Sequence, residues 1–275
     1  MNTYFERVHA GLPLNDVEII DVHAHLGPYF NMHVPARDPG RMIRIMDLCG
    51  IAKAVLSPNM SWESDLVFAN DLMRDAVASH PGRIYGACAV NGNYPELSGD
   101  ELERCFEDAA VLMIKIHPAV SKCRLDDKRM NGIYEFASRR KLCILAHTWL
   151  DNDPFGNMDL FSGVAEDHPD IPWIMGHSGG PYGSRRAVEL ALQVPNIYLD
   201  LTLSMCPARQ VEFFVKEVGA ERVLFGTDNP FLDPRPQVGR VALADISPRD
   251  KVNIFGANAR RLIRFESKRG HLSGS

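Results

Sequence analysis

Eight short runs of β-branched or aliphatic residues recur along the chain, beginning near Val17, Ile51, Ile84, Val111, Leu142, Ile171, Ile197 and Val223. Each is followed by a stretch whose apolar positions have helical spacing. The runs start about 29 residues apart, close to the length of one β/α unit. After the second run, Leu66, Ala69, Leu72, Met73, Ala76 and Val77 fall three or four apart and form one apolar stripe, with Asp71, Arg74 and Asp75 turned outward. Helix starts are signalled as well. Ser98 with Glu101 reads as a capping box, and Ser247 before Pro248 places a hydroxyl ahead of a first-turn proline. Eight strands joined by helices must run parallel, and right-handed crossovers close them most simply into a (β/α)8 TIM barrel. An open doubly wound sheet is the alternative, but no glycine-rich phosphate loop follows the first strand.

Composition narrows the picture. The chain has 275 residues, 45% hydrophobic and 24% charged, enough to bury a large core. The repeat accounts for almost all of it, predicting one domain over 1–275, with the barrel at about 17–265 and a polar tail at 266–275. A net charge of -5 turns the expectation away from nucleic acid and anionic membrane surfaces and toward a small-molecule substrate. Cys49, Cys88, Cys105, Cys123, Cys143 and Cys206 form no CxxC pair and read as reduced thiols. With no long apolar run and no signal-like start, the expected location is the cytoplasm, without a membrane partner. If the chain self-associates, base rates favour a homodimer.

In a parallel barrel the chemistry gathers where the strands end. The first strand ends Asp21-Val22-His23-Ala24-His25, and period-two alternation sends Asp21, His23 and His25 to the face shared with Val17 and Ile19, read as the interior. Two imidazoles at i and i+2 can each lend a nitrogen to a transition metal. An HxH pair alone is weak. The later strands end in compatible groups, however: His147 on the fifth, His177 on the sixth and Asp228 on the eighth. Taken singly, His147 could be a core histidine, Asp228 a cap, and His177 a brace for the Ser178-Gly179-Gly180 turn. Apolar lead-ins make buried strands, and a polar group at such an end needs a specific partner. A shared metal is one.

This ordered set resembles the amidohydrolase superfamily, in particular the amidohydrolase-related branch that includes aminocarboxymuconate-semialdehyde and γ-resorcylate decarboxylases. The motifs are Asp21-Val22-His23-Ala24-His25, Lys115-Ile116-His117-Pro118, Ala146-His147-Thr148, Gly176-His177-Ser178-Gly179-Gly180, Phe225-Gly226-Thr227-Asp228-Asn229-Pro230 and Asn258-Ala259-Arg260-Arg261-Leu262. The resemblance implies metal ligands His23, His25, His147 and Asp228, with His177 as a catalytic histidine near the metal-bound water. Asp21 is then a candidate to orient a ligand or add one. In binuclear relatives a carboxylated lysine stands near the position of Lys115, although this branch is typically mononuclear; Lys115 could also pair with a carboxylate or hold a substrate anion. His117, nearer the mouth, is a candidate substrate contact, and His33 one that could reach the pocket.

The expected cofactor is one divalent metal, zinc first, with manganese or iron compatible with the same ligands. A metal-bound water, with Asp228 as proton acceptor and His177 beside it, predicts hydrolysis of a small ester, lactone or amide. The alternative is non-oxidative decarboxylation of an aromatic or enol acid, with Arg37, Arg41, Arg185 and Arg186 as candidate carboxylate holders. Those decarboxylases tend toward longer loops, which tilts the expectation to hydrolysis. Pro28, Tyr29, Phe30, Asn59, Trp62, Trp149, Phe155, Tyr182 and Phe231 stand in the loops expected to form the mouth.

Overall fold

The computed structural model describes residues 3–29, 33–34, 38–62, 65–149, 152–203 and 205–265. The tail at 266–275, Phe30 and Arg37 lie outside these. Eight strands form one parallel sheet in sequential order: β1 Ile19–Leu26, β2 Ile51–Pro58, β3 Ile84–Ala89, β4 Val111–Ile116, β5 Cys143–His147, β6 Trp173–Gly176, β7 Ile197–Asp200 and β8 Val223–Leu224. The segment after β8 closes the ring onto β1 through the backbone. Val22 N–H donates to Phe225 O (3.1 Å), Asp228 N–H to His23 O (2.8 Å) and His25 N–H to Asn229 O (2.8 Å). The result is a TIM barrel with helices between its strands.

Two apolar layers hold it. Ile20, Val22, Val55, Leu145, Ile174 and Leu224 fill the barrel, and Ala259, Ile263 and Phe265 from the last helix and its exit join them. Ile19, Ala24 and Leu26 pack instead with Met42, Met46 and Met73 of the surrounding helices. The expected alternation of β1 is therefore corrected. Ile19 and Ile20 face the outer and inner layers respectively, and the β1–β2 register shifts between Asp21 and Ala24. One irregularity there changes the phase of the strand. It lets Val22 pack inward while His23 and His25, beyond it, also reach the interior.

The helix at Leu66–Ser79 buries Leu66, Ala69, Met73, Ala76 and Val77, as its stripe predicts, and Asp65 caps it through Phe68 N–H. Ser247 caps the helix at Pro248–Val252 by accepting Asp250 N–H. The capping box at Ser98 does not form, because Pro95 already opens that helix at Pro95–Cys105. Ser98 exchanges hydrogen bonds with the backbone of Asn91 instead, and Glu101 pairs with Arg104. All six cysteines are free thiols, five of them buried. Among the described residues no helix is long and apolar enough to cross a membrane.

Candidate metal and active site

At the C-terminal ends of the strands the structure gathers His23 and His25 from β1, Lys115 from β4, His147 from β5, and His117, His177 and Asp228 from just past β4, β6 and β8. His23 and Lys115 are fully buried, and His25, His117 and His177 nearly so. Asp228 lies four residues beyond the short β8, in left-handed backbone (φ 62°) that aspartate tolerates better than most side chains. His177 (φ 64°) and Ser178 (φ 46°) share that conformation. Their turn is held by other groups: Ser178 Oγ donates to Asp200 O (2.8 Å), and Thr148 Oγ receives Gly179 N–H (3.1 Å). The His177 ring is thereby left to the cluster.

The heavy-atom network assigns the imidazole hydrogens. Asp200 Oδ2 receives His177 N–H at 3.0 Å, which marks it as an acceptor, and it lies 2.7 Å from His23 Nδ1. His23 therefore carries its hydrogen on Nδ1 and a lone pair on Nε2. His25 is set the same way: Ser57 Oγ donates to Ala24 O (3.3 Å) and accepts His25 Nδ1–H (3.1 Å). His177 Nδ1–H donates to Thr202 O (3.1 Å), so its Nε2 accepts from His147 Nδ1–H (3.1 Å). Across His23, His25 and His147 the lone pair is therefore on Nε2, and that of His23 accepts from Lys115 Nζ (2.7 Å).

The lone pairs of His23 and His25 meet an anion. Nε2 of His23 and of His25 lie 3.5 and 3.0 Å from Asp228 Oδ1. Lone pairs facing a carboxylate repel; a cation among them turns the same arrangement into ligation. The separations bracket the edge of a tetrahedron built with zinc–nitrogen bonds, about 3.3 Å. Ligand atoms of His23, His177 and Asp228 also lie within 4.8 Å of one another. The residues present fit a divalent cation.

Burial, the largest influence on each, lowers the imidazoles of His23, His25, His117 and His147 below their ordinary range and keeps them neutral. Asp228 is lowered well below the usual carboxylate range even though burial alone would raise it. Lys115 Nζ donates to His23 Nε2 at 2.7 Å, and burial lowers its ammonium to about 8. Asp21 turns away from the rings. It accepts His23 N–H (3.0 Å) and bonds the amide and hydroxyl of Thr227, bracing the seam between β1 and the segment after β8. Burial raises its carboxyl to about 8.

Over the cluster opens a cavity of about 520 Å³ lined by Tyr29, Asn59, Trp62, Trp149, Phe231 and Leu232 above His25, His117, His147, His177 and Asp228. His117 stacks on His147 with centroids 3.9 Å apart. Phe155, Tyr182 and His33 are not part of this lining. Phe155 lies under Lys122, and Tyr182 is 87% exposed. Asp200, Thr202 and Ser57 belong to the site although the sequence reading passed over them. Their signal was Asp200-Leu201-Thr202, an i, i+2 polar pair at a strand end like His23-Ala24-His25, and Ser57 at the end of β2.

Residues 20–265 match the amidohydrolase family model. A 2-amino-3-carboxymuconate-6-semialdehyde decarboxylase of Dictyostelium discoideum is 23% identical over 70% of this chain, and the match spans 64% of that protein's length. A γ-resorcylate decarboxylase of a Polaromonas strain is 24% identical over 82% of this chain and 87% of its own. The crystal structure of 5-carboxyvanillate decarboxylase from Novosphingobium aromaticivorans, complexed with manganese and a nitrobenzoic acid, superposes with a TM-score of 0.71 at 18% identity, over 90% of this chain and 96% of that one. At that identity the likeness speaks for the barrel alone. A family match that runs from β1 through the C-terminal helix leads to one conclusion: the chain belongs to the amidohydrolase family.

Proposed function

We propose that this enzyme of the amidohydrolase superfamily is a metal-dependent, non-oxidative decarboxylase of a small aromatic or enol carboxylic acid. The observation that carries this reading is the cavity itself, an aromatic-walled space of about 520 Å³ floored by the histidine and aspartate cluster. Tyr29, Trp62, Trp149 and Phe231 suit a flat ring. Both curated relatives described above are decarboxylases, which supports this reading over hydrolysis.

His23, His25, His147 and Asp228 would hold the metal, zinc or manganese, through the Nε2 lone pairs and Oδ1. When bound, the metal supplies positive charge that steadies the negative charge developing on substrate oxygen. The carboxylate to be lost is received at the cluster, because none of Arg41, Arg185 and Arg186 lines the cavity. Arg186 is engaged by Asp159 and Glu189; Arg37 lies outside the described residues. Decarboxylation needs a proton at the carbon that bears the carboxylate. The C–H bond forms there, the C–C bond breaks, its electron pair returns to the ring, and carbon dioxide leaves. Asp228, held as the anion, is an acceptor, so the proton comes from His177 in its imidazolium form, which carries a hydrogen on Nε2 in place of the one accepted there from His147. Trp149 and Phe231 cover the cluster and limit access of water.

Hydrolysis remains the second reading because an ionised Asp228 is also the acceptor that a water nucleophile requires. One panel separates the two: hydroxybenzoates and enol acids assayed for released carbon dioxide, beside esters, lactones and amides. Carbon dioxide release from an aromatic or enol acid is expected. Turnover of the esters, lactones or amides alone would overturn the proposal.

A further inference from the structure

Four donors converge on the Asp200 carboxylate at the end of β7. Oδ2 receives His23 Nδ1–H (2.7 Å) and His177 N–H (3.0 Å), while Oδ1 receives Thr202 N–H (3.1 Å) and Thr202 Oγ–H (2.8 Å). Two residues on, Thr202 O takes His177 Nδ1–H (3.1 Å). Asp200 is 1% exposed and Thr202 fully buried, so none of these donors has water as an alternative. Gly226, on the neighbouring segment, makes the arrangement feasible. A Cβ there would overlap Thr202 Oγ, Asp200 Oδ1 and the Cβ of His23.

We infer that Asp200 and Thr202 form a positioning bracket that fixes the His23 tautomer and the His177 ring and backbone in one frame. Asp200 keeps the His23 hydrogen on Nδ1, so that Nε2, which accepts from Lys115 Nζ here, is the nitrogen presented to the metal. The same oxygen pins the His177 amide in its left-handed turn, and Thr202 O sets that ring so that Nε2 faces His147. The metal ligand on β1 and the proton carrier after β6 are thus registered to each other through β7. This inference rests on the metal reading of the cluster but not on which reaction the enzyme performs.

Only an anion accepting on both oxygens satisfies all four donors; an amide sets its own N–H groups against at least one N–H of the set. Asp200→Asn should therefore weaken zinc or manganese binding by about 10–100-fold, read by competition with a chromogenic chelator. Affinity within twofold of wild type would overturn the inference. Should that variant fail to fold, the wild type itself decides. Long-range proton–nitrogen spectra of the metal-free, histidine-labelled protein should show His23 protonated at Nδ1, and an Nε2–H tautomer would overturn it. Neither measurement involves turnover, so failure of the decarboxylase reading and failure of the bracket are distinguishable.

Discussion

His25 Nε2 lies 3.0 Å from Asp228 Oδ1, across 203 residues of sequence, with the His25 hydrogen committed to Ser57 on the opposite side of the ring. A contact of that kind, lone pair against carboxylate, is stable only with positive charge nearby, and Lys115 and a bound cation are the two sources the cavity floor offers.

Metal should therefore stabilise the fold. At a free concentration 100 times its Kd, zinc or manganese should add about 2.7 kcal/mol to unfolding, seen as a rise in melting temperature that chelator reverses. No shift with any divalent ion would argue against the cluster as a metal site.

Replacing Asp228 by Asn keeps a side chain that tolerates the left-handed backbone while removing the charge. Metal affinity and turnover should both fall by about 100-fold or more, with circular dichroism unchanged. Retained affinity would show that Asp228 is not a ligand.

His177 tests the division of labour within the cluster. His177→Gln should cut kcat by about 100-fold, as expected for loss of a proton carrier, while metal content stays near that of the wild type. Loss of metal in parallel would instead place His177 among the ligands, an arrangement its proximity to His23 and Asp228 permits.

Gly226→Ala should cost about 1–3 kcal/mol through overpacking against Asp200, Thr202 and His23. A urea melt measures it, and an unchanged midpoint would mean that the space around the bracket can relax.

At the other end of the barrel, Glu18 is bonded to Arg260 and Lys53, joining the entrance of β1 to β2 and the last helix. The Arg260 hydrogen bond is the main cause that lowers the Glu18 carboxyl from 4.5 to about 2. A lowered carboxyl contributes stability above its unfolded value and loses it as pH falls through the folded value. Partial exposure limits the contribution to no more than about 1 kcal/mol. The gap in urea midpoint between wild type and Glu18→Gln should be full at pH 6 and close as pH falls from 5 toward 2. A gap independent of pH would contradict the assignment.

Much of this molecule is legible in its sequence because a β/α repeat writes the same apolar signal eight times, and every strand begins within about two residues of its run. The ring-bearing residues of the site were legible for a related reason: histidine or aspartate at the end of an apolar strand is conspicuous. Residues that act through others were not. Ser57 and Asp200 look ordinary until the atoms they bond are known, since alternation gives a face and not a partner. The inward phase assigned to Ile19 and Asp21 failed because a one-residue irregularity inside β1 leaves no trace in a period of two. The Ser98 box failed because proline three residues earlier had already started the helix, and Phe155 and Tyr182 failed because loop position alone does not aim a side chain.

The backbone seam between β1 and the segment after β8 gives the site a temporal dimension. Asp228 N–H to His23 O and His25 N–H to Asn229 O are the bonds that shut the ring, and they belong to the residues that would hold the metal. The first strand emerges early in synthesis and its partner segment only after some 200 residues, so no partial chain can assemble this donor set. Completion of the fold and competence to bind metal are then one event, and a bound ion acts as a clasp across the last joint to close and the first from which the barrel would open.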